Sequence, residues 1–324
     1  MPGARVNPYH VWLSEIMLQQ TTVSTVKPYF VKFLERWPSV EQLSLAELDE
    51  ILHVWQGLGY YSRARNLHKC AKEIMNKWSG KFPESEANLL SLPGVGPYTA
   101  AAVAAIGFGK DAIPVDVNIE RVVARLYAID KPLSSGKLDI KRFAKTLLPK
   151  QRTGDFAQAL MDFGAIVCRR KNPRCSTCLL KKECIGFKQG DPERLPLRPP
   201  KKLRPTRYGT VFWLEREDGS VLVQRREEMG LLGGMIEFPS SPWQDELPDA
   251  SVLLRYAPSH ASWQKIEGTV KHVFSHFYLV LDIRKATISN KIPENSMWCK
   301  PADFNKLALP TLMKKVANHA TKNI

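Results

Sequence analysis

Leu92-Pro93-Gly94-Val95-Gly96-Pro97-Tyr98-Thr99-Ala100 sets two glycines and two prolines directly before a run of small apolar residues. Glycine lets a backbone turn sharply and approach another group closely, and proline suits the first position of a helix. The stretch therefore reads as a glycine-rich turn that opens a helix. N–H groups at such a start have no partner inside the helix and carry positive potential, which suits a phosphate. A helix-hairpin-helix element of this kind, with Gly94, Val95 and Gly96 at its tip, grips a DNA backbone without reading its sequence. On the turn alone, an ordinary connection between helices reads equally well.

Outward from this turn the pattern stays helical. Helical spacing runs through PYHVWLSEIMLQQT, with Trp12, Ile16 and Gln19 in step, and through SLAELDEILHVW, SRARNLHKCAKEIMNKW, TAAAVAAIGFG, NIERVVARLYAI and IKRFAKTLL. A mainly α domain is expected over residues 1–187. QGDPERLPLRPPKKLRPTR is rich in proline and charge and reads as a linker over 188–206. Beyond it the period shortens. RYGTVFWLEREDGSVLVQRR carries two β-rich runs about Glu217-Asp218-Gly219, a hairpin signal. HFYLVLDIRKA reads as a further strand and PTLMKKVANHAT as a closing helix, so 207–324 is expected to be α+β. No internal repeat is visible.

The chain has 324 residues, 44% of them hydrophobic and 24% charged, which excludes a wholly disordered chain. Lys and Arg number 47 against 32 Asp and Glu, a formal charge of +15 that favours an anionic partner over a role in solubility alone. No apolar run is long enough to span a bilayer, and MPGARVNPYH has no apolar signal core, so neither a membrane partner nor a secretory route is expected.

Of six cysteines, Cys168, Cys175, Cys178 and Cys184 lie together as C-x6-C-x2-C-x5-C, while Cys70 and Cys299 stand apart. Without a secretory signal, a disulfide framework is a poor reading. Four thiolates suit a metal centre, and both zinc and a [4Fe–4S] cluster accept four cysteines. Zinc sites usually pair two short C-x2-C units, and only one is present, which favours the cluster. Arg169, Arg170, Lys171, Arg174, Lys181 and Lys182 surround these cysteines. The basic loop either offsets the charge of the thiolates or meets phosphates.

Two carboxylates stand out. Glu15 is crowded by Leu13, Ile16, Met17 and Leu18, where a carboxyl would keep its proton and serve as a general acid. Its plain alternative is a solvent-facing Glu. Asp116 stands just before an apolar helix, where an N-cap is the plain reading. Spacing alone assigns neither.

Ser14-Glu15-Ile16-Met17-Leu18-Gln19-Gln20-Thr21, the LPGVGPYTA turn, Val115-Asp116-Val117-Asn118 and the four-cysteine spacing resemble the MutY adenine DNA glycosylases of the wider endonuclease III superfamily. Gly230-Leu231-Leu232-Gly233-Gly234-Met235-Ile236-Glu237-Phe238-Pro239 and Phe274-Ser275-His276 resemble that family's Nudix-like recognition domain. Several independent motifs in order cover nearly the whole chain. The resemblance implies a mainly α helix-hairpin-helix glycosylase domain with an iron–sulfur cluster loop, followed by an α+β Nudix-like C-terminal domain. It implies action on double-stranded DNA holding A:8-oxoguanine or A:G mispairs, in the bacterial cytoplasm at the nucleoid or in a eukaryotic nucleus or mitochondrion. A monomer is expected, because no exposed heptad or dimer patch is visible in the sequence.

By the same resemblance, adenine is flipped out of the stack, Glu15 protonates it at N7, and Asp116 stays ionised to stabilise an oxocarbenium-like sugar. Tyr98 stands where bifunctional relatives carry a Lys that forms a Schiff base, so a monofunctional glycosylase is expected. Tyr98 and Asn118 are expected to align the Asp116 carboxylate. Gln20 and Tyr60 would wedge beside the mispair, although an aromatic such as Tyr60 also suits a core. Thr21 and Leu58 would touch the 8-oxoguanine, and Gln158 would lie near the adenine edge. Phe274, Ser275 and His276 would distinguish 8-oxoguanine from guanine. Without the family, His276 reads as a strand-end histidine. Cys168, Cys175, Cys178 and Cys184 would ligate the cluster.

Three departures qualify these expectations. The family carries an L-P-W-R helix before NPYHVW, and this sequence starts six residues before Asn7. Loss of that helix would weaken stability and activity. Glu237-Phe238-Pro239 is followed by SSPWQDELPDA, without the glutamate-rich helix that Nudix hydrolases use for metals, so no pyrophosphohydrolase activity is expected. Val117 replaces the family's usual Gly. The alternatives are an endonuclease III-type glycosylase with lyase action, and a mispair-binding protein impaired by its short N-terminus.

Overall fold

The computed structural model describes residues 6–198, 203–227, 230–246, 249–289 and 297–322. Part of the proline-rich linker, 199–202, lies outside the described residues. The chain divides into two compact units, Met1–Leu45 with Asn66–Lys201 and Ala46–Arg65 with Lys202–Ile324.

The first unit is helical. α1 (Pro8–Leu18) starts at Asn7, whose side chain accepts from Tyr9 N at 2.9 Å, with Pro8 in the first turn. Its apolar residues Trp12, Leu13, Ile16 and Met17 are buried. α2 (Val23–Arg36) and α3 (Val40–Leu45) follow. α4 (Leu48–Val54) and the first turn of α5 (Ser62–Trp78) sort with the second unit, and the rest of α5 with the first. α6 (Glu86–Leu90), the 91–96 turn and α7 (Pro97–Ala102) form the hairpin, and α7 runs on into a single π-turn, Val103–Gly107. α8 (Val117–Leu126), α9 (Leu133–Thr146) and α10 (Thr153–Ile166) pack about Ile119, Val123, Ile140 and Leu160. α11 (Ile185–Lys188) follows the cysteine loop.

The expected linker is not a bare tether at its start. Leu195 is buried, its carbonyl accepts from Arg125 Nε at 3.0 Å, and Leu197 bridges to Pro132. Proline and charge mark irregular backbone, but irregular backbone still packs where it supplies a buried carbonyl.

The second unit holds a six-stranded mixed sheet. Its strands are β1 (Thr206–Arg216), β2 (Val221–Arg225), β3 (Ile236–Glu237), β4 (Gln264–Val273), β5 (Tyr278–Ile288) and β6 (Met297–Cys299). The order is β3-β2-β1-β5-β4, with β6 also on β2; β1 and β5 are parallel and the other pairs antiparallel. The expected hairpin is present: Glu215 pairs with Val221, and the Asp218 carboxylate accepts from Ser220 N at 2.9 Å inside the turn. α12 (Ala250–Leu253) is short, and α13 (Thr311–Lys322) closes the chain. Val211, Trp213, Phe238, Leu281 and Ile283 pack with Leu312, Met313 and Val316 of α13 into one core. Leu214, Leu222 and Ala286 meet Trp263 and Trp298 in a smaller cluster. Two clusters explain why residues 209–214 of β1 are buried without alternation.

Candidate functional site

In the first unit, α1, the turn into α7 and the start of α8 bring together Glu15, Tyr98, Asp116 and Asn118. Glu15 is 9% exposed, among the wholly buried Leu13 and Met17. Burial holds its carboxyl above the usual carboxylate range, a hydrogen bond from the Tyr98 hydroxyl offsets part of that rise, and the Asp116 charge adds to it. Asp116 is held differently. Its Oδ1 accepts from Asn118 N at 2.9 Å and Ile119 N at 2.8 Å, and its Oδ2 accepts from Asn118 Nδ2 at 2.8 Å. Three N–H donors at the start of α8 thus fix the orientation of this carboxylate. Asp116 is the N-cap of α8, as its plain reading had it, and its charge acts on Glu15.

Asn118 donates to Asp116, and the Tyr98 hydroxyl, in the first turn of α7, donates to Met161 Sδ at 3.7 Å and also acts on the Glu15 carboxyl. Burial and the two nearby carboxylates push the phenol far above its ordinary range, so it remains a donor. Gln158 is exposed and lines a cavity of about 710 Å³ with Asn7, Gly107 and Arg152, whose lining includes none of Glu15, Tyr98 or Asp116.

Pattern reading overlooked Arg121 and Arg125 of α8. Arg121 donates to Asn118 Oδ1 at 2.8 Å, Gly164 O at 2.5 Å and Cys168 O at 2.6 Å. Arg125, 2% exposed, donates to Arg169 O at 2.7 Å, Arg170 O at 3.1 Å and Cys168 Sγ at 3.5 Å. Two arginines four residues apart in NIERVVARL, between apolar positions, were the available signal, because a buried guanidinium needs several acceptors. One helix thus carries Asp116 at its start and contacts the cysteine loop near its end. Cys168, Cys175, Cys178 and Cys184 all line one small pocket with Arg125, Lys181 and Phe187, and none is in a disulfide. Burial and the other three sulfurs push the Cys175 thiol up.

α10 reaches α8 because residue 164 lacks a side chain: a Cβ there would lie 2.8 Å from Asn118 Cβ and 2.9 Å from Asn118 O. Gly164→Ala should destabilise by about 1–3 kcal/mol and lower the melting temperature by several degrees. Thermal denaturation checks this; an unchanged midpoint would mean the helices part without strain.

In the turn between α6 and α7, Gly94 is exposed at φ +73° and Gly96 caps α7 through its backbone, while Val95 is buried at 6% exposure. Val95 therefore anchors the turn, and Gly94 and Gly96 present its backbone. Gln20 follows α1 at φ +56°. Thr21 is half-buried, with its hydroxyl donating to Gln19 O at 3.3 Å.

In the second unit, Tyr60 has φ +46° and is 40% exposed. Gln20 and Tyr60 are non-glycine residues held in the left-handed region, a strain that concentrates at functional sites. The Tyr60 ring is outside the core, and its hydroxyl bonds the Ser275 hydroxyl. Both line a cavity of about 360 Å³ with Gly230, Leu231, Leu232, Phe274 and His276. Phe274 is half-buried against Trp243, while Ser275 and His276 are exposed at the end of β4. Leu58 is the exception. It is 5% exposed, packed inward as an apolar side chain in a tight turn will be, so contact with a base needs that turn to open.

Among the described residues no helix is long and apolar enough to cross a membrane. Residues 13–150 match the HhH-GPD superfamily of base excision DNA repair proteins, and residues 210–319 match the NUDIX domain. The chain is 33% identical to the adenine DNA glycosylase of Buchnera aphidicola subsp. Acyrthosiphon pisum, over 98% of this chain and 91% of that one. It is 32% identical to the human adenine DNA glycosylase, over 95% of this chain and 67% of that one. A thermostable thymine-DNA glycosylase of known structure has a TM-score of 0.53 at 33% identity, covering 58% of this chain and 87% of that chain. Endonuclease III in a non-covalent DNA complex has a TM-score of 0.51 at 26% identity, covering 58% and 88%. With a helix-hairpin-helix unit, a Nudix-like unit and a full-length likeness to these repair enzymes, the chain belongs to the adenine DNA glycosylase family.

Proposed function

We propose that the protein excises adenine paired with 8-oxoguanine or guanine in double-stranded DNA, and that it does so by hydrolysis alone. The observation that carries this reading is the contrast between Glu15 and Asp116: one carboxyl buried and inclined to keep its proton, the other at a helix start with three N–H donors on its oxygens. Opposed protonation states are the division of labour that glycosidic cleavage needs. With adenine flipped from the stack, Glu15 protonates N7 and the leaving group becomes neutral. Asp116 then faces the cationic sugar, with Asn118 fixing its orientation. Glu15, now ionised, accepts a proton from the incoming water. Tyr98 offers no amine, so no Schiff base forms and the strand is left uncut.

Cys168, Cys175, Cys178 and Cys184 would hold a [4Fe–4S] cluster. Four thiols that line one pocket suit it. When bound, the cluster ties the 168–184 loop together; no step of the hydrolysis needs an electron. Gly94 and Gly96 would offer backbone N–H groups to a phosphate, with Val95 anchoring their turn. Gln20 and Tyr60 would fill the gap left by the flipped base, with Thr21 and Leu58 beside the lesion and Gln158 toward the adenine. The work divides between a glycosylase domain over 1–187 and a recognition domain over 207–324, with 46–65 grouped with the latter.

Phe274, Ser275 and His276 would read the lesion, whose N7 hydrogen and C8 oxygen distinguish it from guanine. Ser275→Ala with His276→Ala should slow release at A:8-oxoguanine more than at A:G, and an unchanged preference would remove that role. The deciding measurement is single-turnover adenine release from duplexes holding A:8-oxoguanine, A:G, A:T or an oxidised pyrimidine. Release at the first, slower release at the second and none at the others is expected. Action on the pyrimidine with a borohydride-trapped adduct would replace this reading with a lyase, and tight mispair binding without release would replace it with a sensor.

A further inference from the structure

Gly230-Leu231-Leu232-Gly233-Gly234 has no task in the scheme above. Its first three residues line the same cavity as Tyr60, Ser275 and His276. The next two are buried, and guanidinium groups take both of their carbonyls. Gly233 O accepts from Nη1 of Arg65, a side chain 7% exposed. Gly234 O accepts from Nη1 of Arg225 at 2.9 Å. The same Arg225 guanidinium holds the Asp49 carboxylate with two prongs, at 2.8 and 2.6 Å. Gly234 stands at φ +72°, and a Cβ there would meet Arg65 Cδ at 3.5 Å, so the turn lies directly on the arginine stem.

Asp49 and Arg65 bracket the segment that carries Leu58 and Tyr60. The glycine turn is therefore pinned to that segment at both ends. The cavity has one wall from each: Gly57–Ser62 on one side and Gly230–Leu232 on another. An exposed Asp–Arg pair adds little to stability, but a two-pronged carboxylate fixes the plane of a guanidinium. Here that plane aims the remaining N–H at Gly234 O.

We infer that Arg65, together with the Asp49–Arg225 pair, sets the spacing of the cavity walls and so determines how strongly a purine with oxygen at C8 is preferred over guanine. These are positioning residues that act through Tyr60 and the 230–232 turn. The inference rests on the lesion-reading role proposed for this cavity. Its physical basis is the small chemical difference to be read. One donor and one acceptor separate the two bases, and hydrogen bonds weaken steeply with distance and angle. Walls free to drift by about 1 Å would lose that distinction while still admitting a base.

Arg65→Met keeps the stem and removes the fork, and Arg225→Met removes the exposed partner. Single-turnover adenine release is measured for both on A:8-oxoguanine and A:G duplexes, and the ratio of the two rates is the readout. Arg65→Met should lower that ratio by about tenfold and Arg225→Met by about threefold, mainly through the lesion duplex. Arg65→Lys, with charge but no fork, should fall between Arg65→Met and the parent. An unchanged ratio, or an equal fall on both duplexes, would overturn the inference, since a merely structural role lowers both rates alike. If Arg65→Met does not fold, the exposed Arg225→Met decides by the same criterion. A parent chain with no preference for the lesion would overturn the underlying reading. A parent that discriminates and two variants that discriminate equally well would overturn the clamp alone.

Discussion

Glu15→Gln should leave a folded protein that still binds an A:8-oxoguanine duplex but releases adenine slower by about 10³ or more, roughly 4 kcal/mol of barrier. The amide keeps the size of the side chain and has no proton to give. Asp116→Asn should lose a similar factor by removing the anion that faces the developing cation. Rapid release by either variant would sink the assigned roles. The pH profile offers a second check on Glu15. Its active form is protonated, so release should fall on the alkaline side as the raised carboxyl ionises. The Tyr98 hydrogen bond lowers that carboxyl, so Tyr98→Phe should move the alkaline limb to higher pH. A limb that stays in place would mean another group sets it.

The same burial has a cost in stability. The unfolded Glu15 carboxyl ionises near 4.5, whereas the folded one holds its proton to higher pH. Above the unfolded value the folded chain binds more protons than the unfolded one, so this contribution to stability declines as pH rises and is at its least above the folded value. Glu15→Gln should therefore melt higher than the parent at neutral pH while doing no chemistry, the trade that strained active sites often show.

Arg125→Met should destabilise the protein by about 3–5 kcal/mol, the largest stability effect expected of any single change discussed. Arg125 is 2% exposed and satisfies the carbonyls of Arg169, Arg170 and Leu195 as well as the Cys168 sulfur. Methionine fills much of the space but donates to none of them, and the buried acceptors then have no partner. Urea denaturation should show an earlier midpoint with little change in slope. The isolated protein should also retain less iron, because the Cys168–Arg170 backbone loses its anchor. Arg174→Ala, at an exposed position beside Cys175, is the control and should shift the midpoint by less than about 0.5 kcal/mol. An equal midpoint for Arg125→Met and the parent would mean the loop is held by other contacts.

Much of the helical unit was legible in residue pattern. The expected helix over Ser62–Trp78 has the observed bounds, and the apolar step of Trp12 and Ile16 marks the buried face of α1. Strand β4 was not legible. QKIEGTVKHV buries only Ile266 and Val270, and a register shift lies between them, with Gly268 at φ +85°. A period of two broken in the middle leaves no pattern to detect. The grouping of 46–65 with the C-terminal unit was equally hidden, since Asp49, Gln56 and Arg65 find partners more than a hundred residues away in sequence. At the site, residue types identified Glu15 and Asp116 as candidates but not the Met161 contact of the Tyr98 hydroxyl, which joins residues 63 positions apart.

The discontinuity of the second unit also has a consequence for synthesis. Ala46–Arg65 leaves the ribosome well before Gly233, Leu307 and Lys314, the residues that bind Arg65 and Gln56. At about 5–20 residues per second, that segment waits on the order of 10–50 s for its partners. During that interval Ile51, Leu52 and Val54, all buried in the finished protein, belong to a nascent chain that lacks most of its second unit. These side chains therefore await the rest of their unit until residues 202–324 arrive, and translation speed through the latter half sets how long they wait.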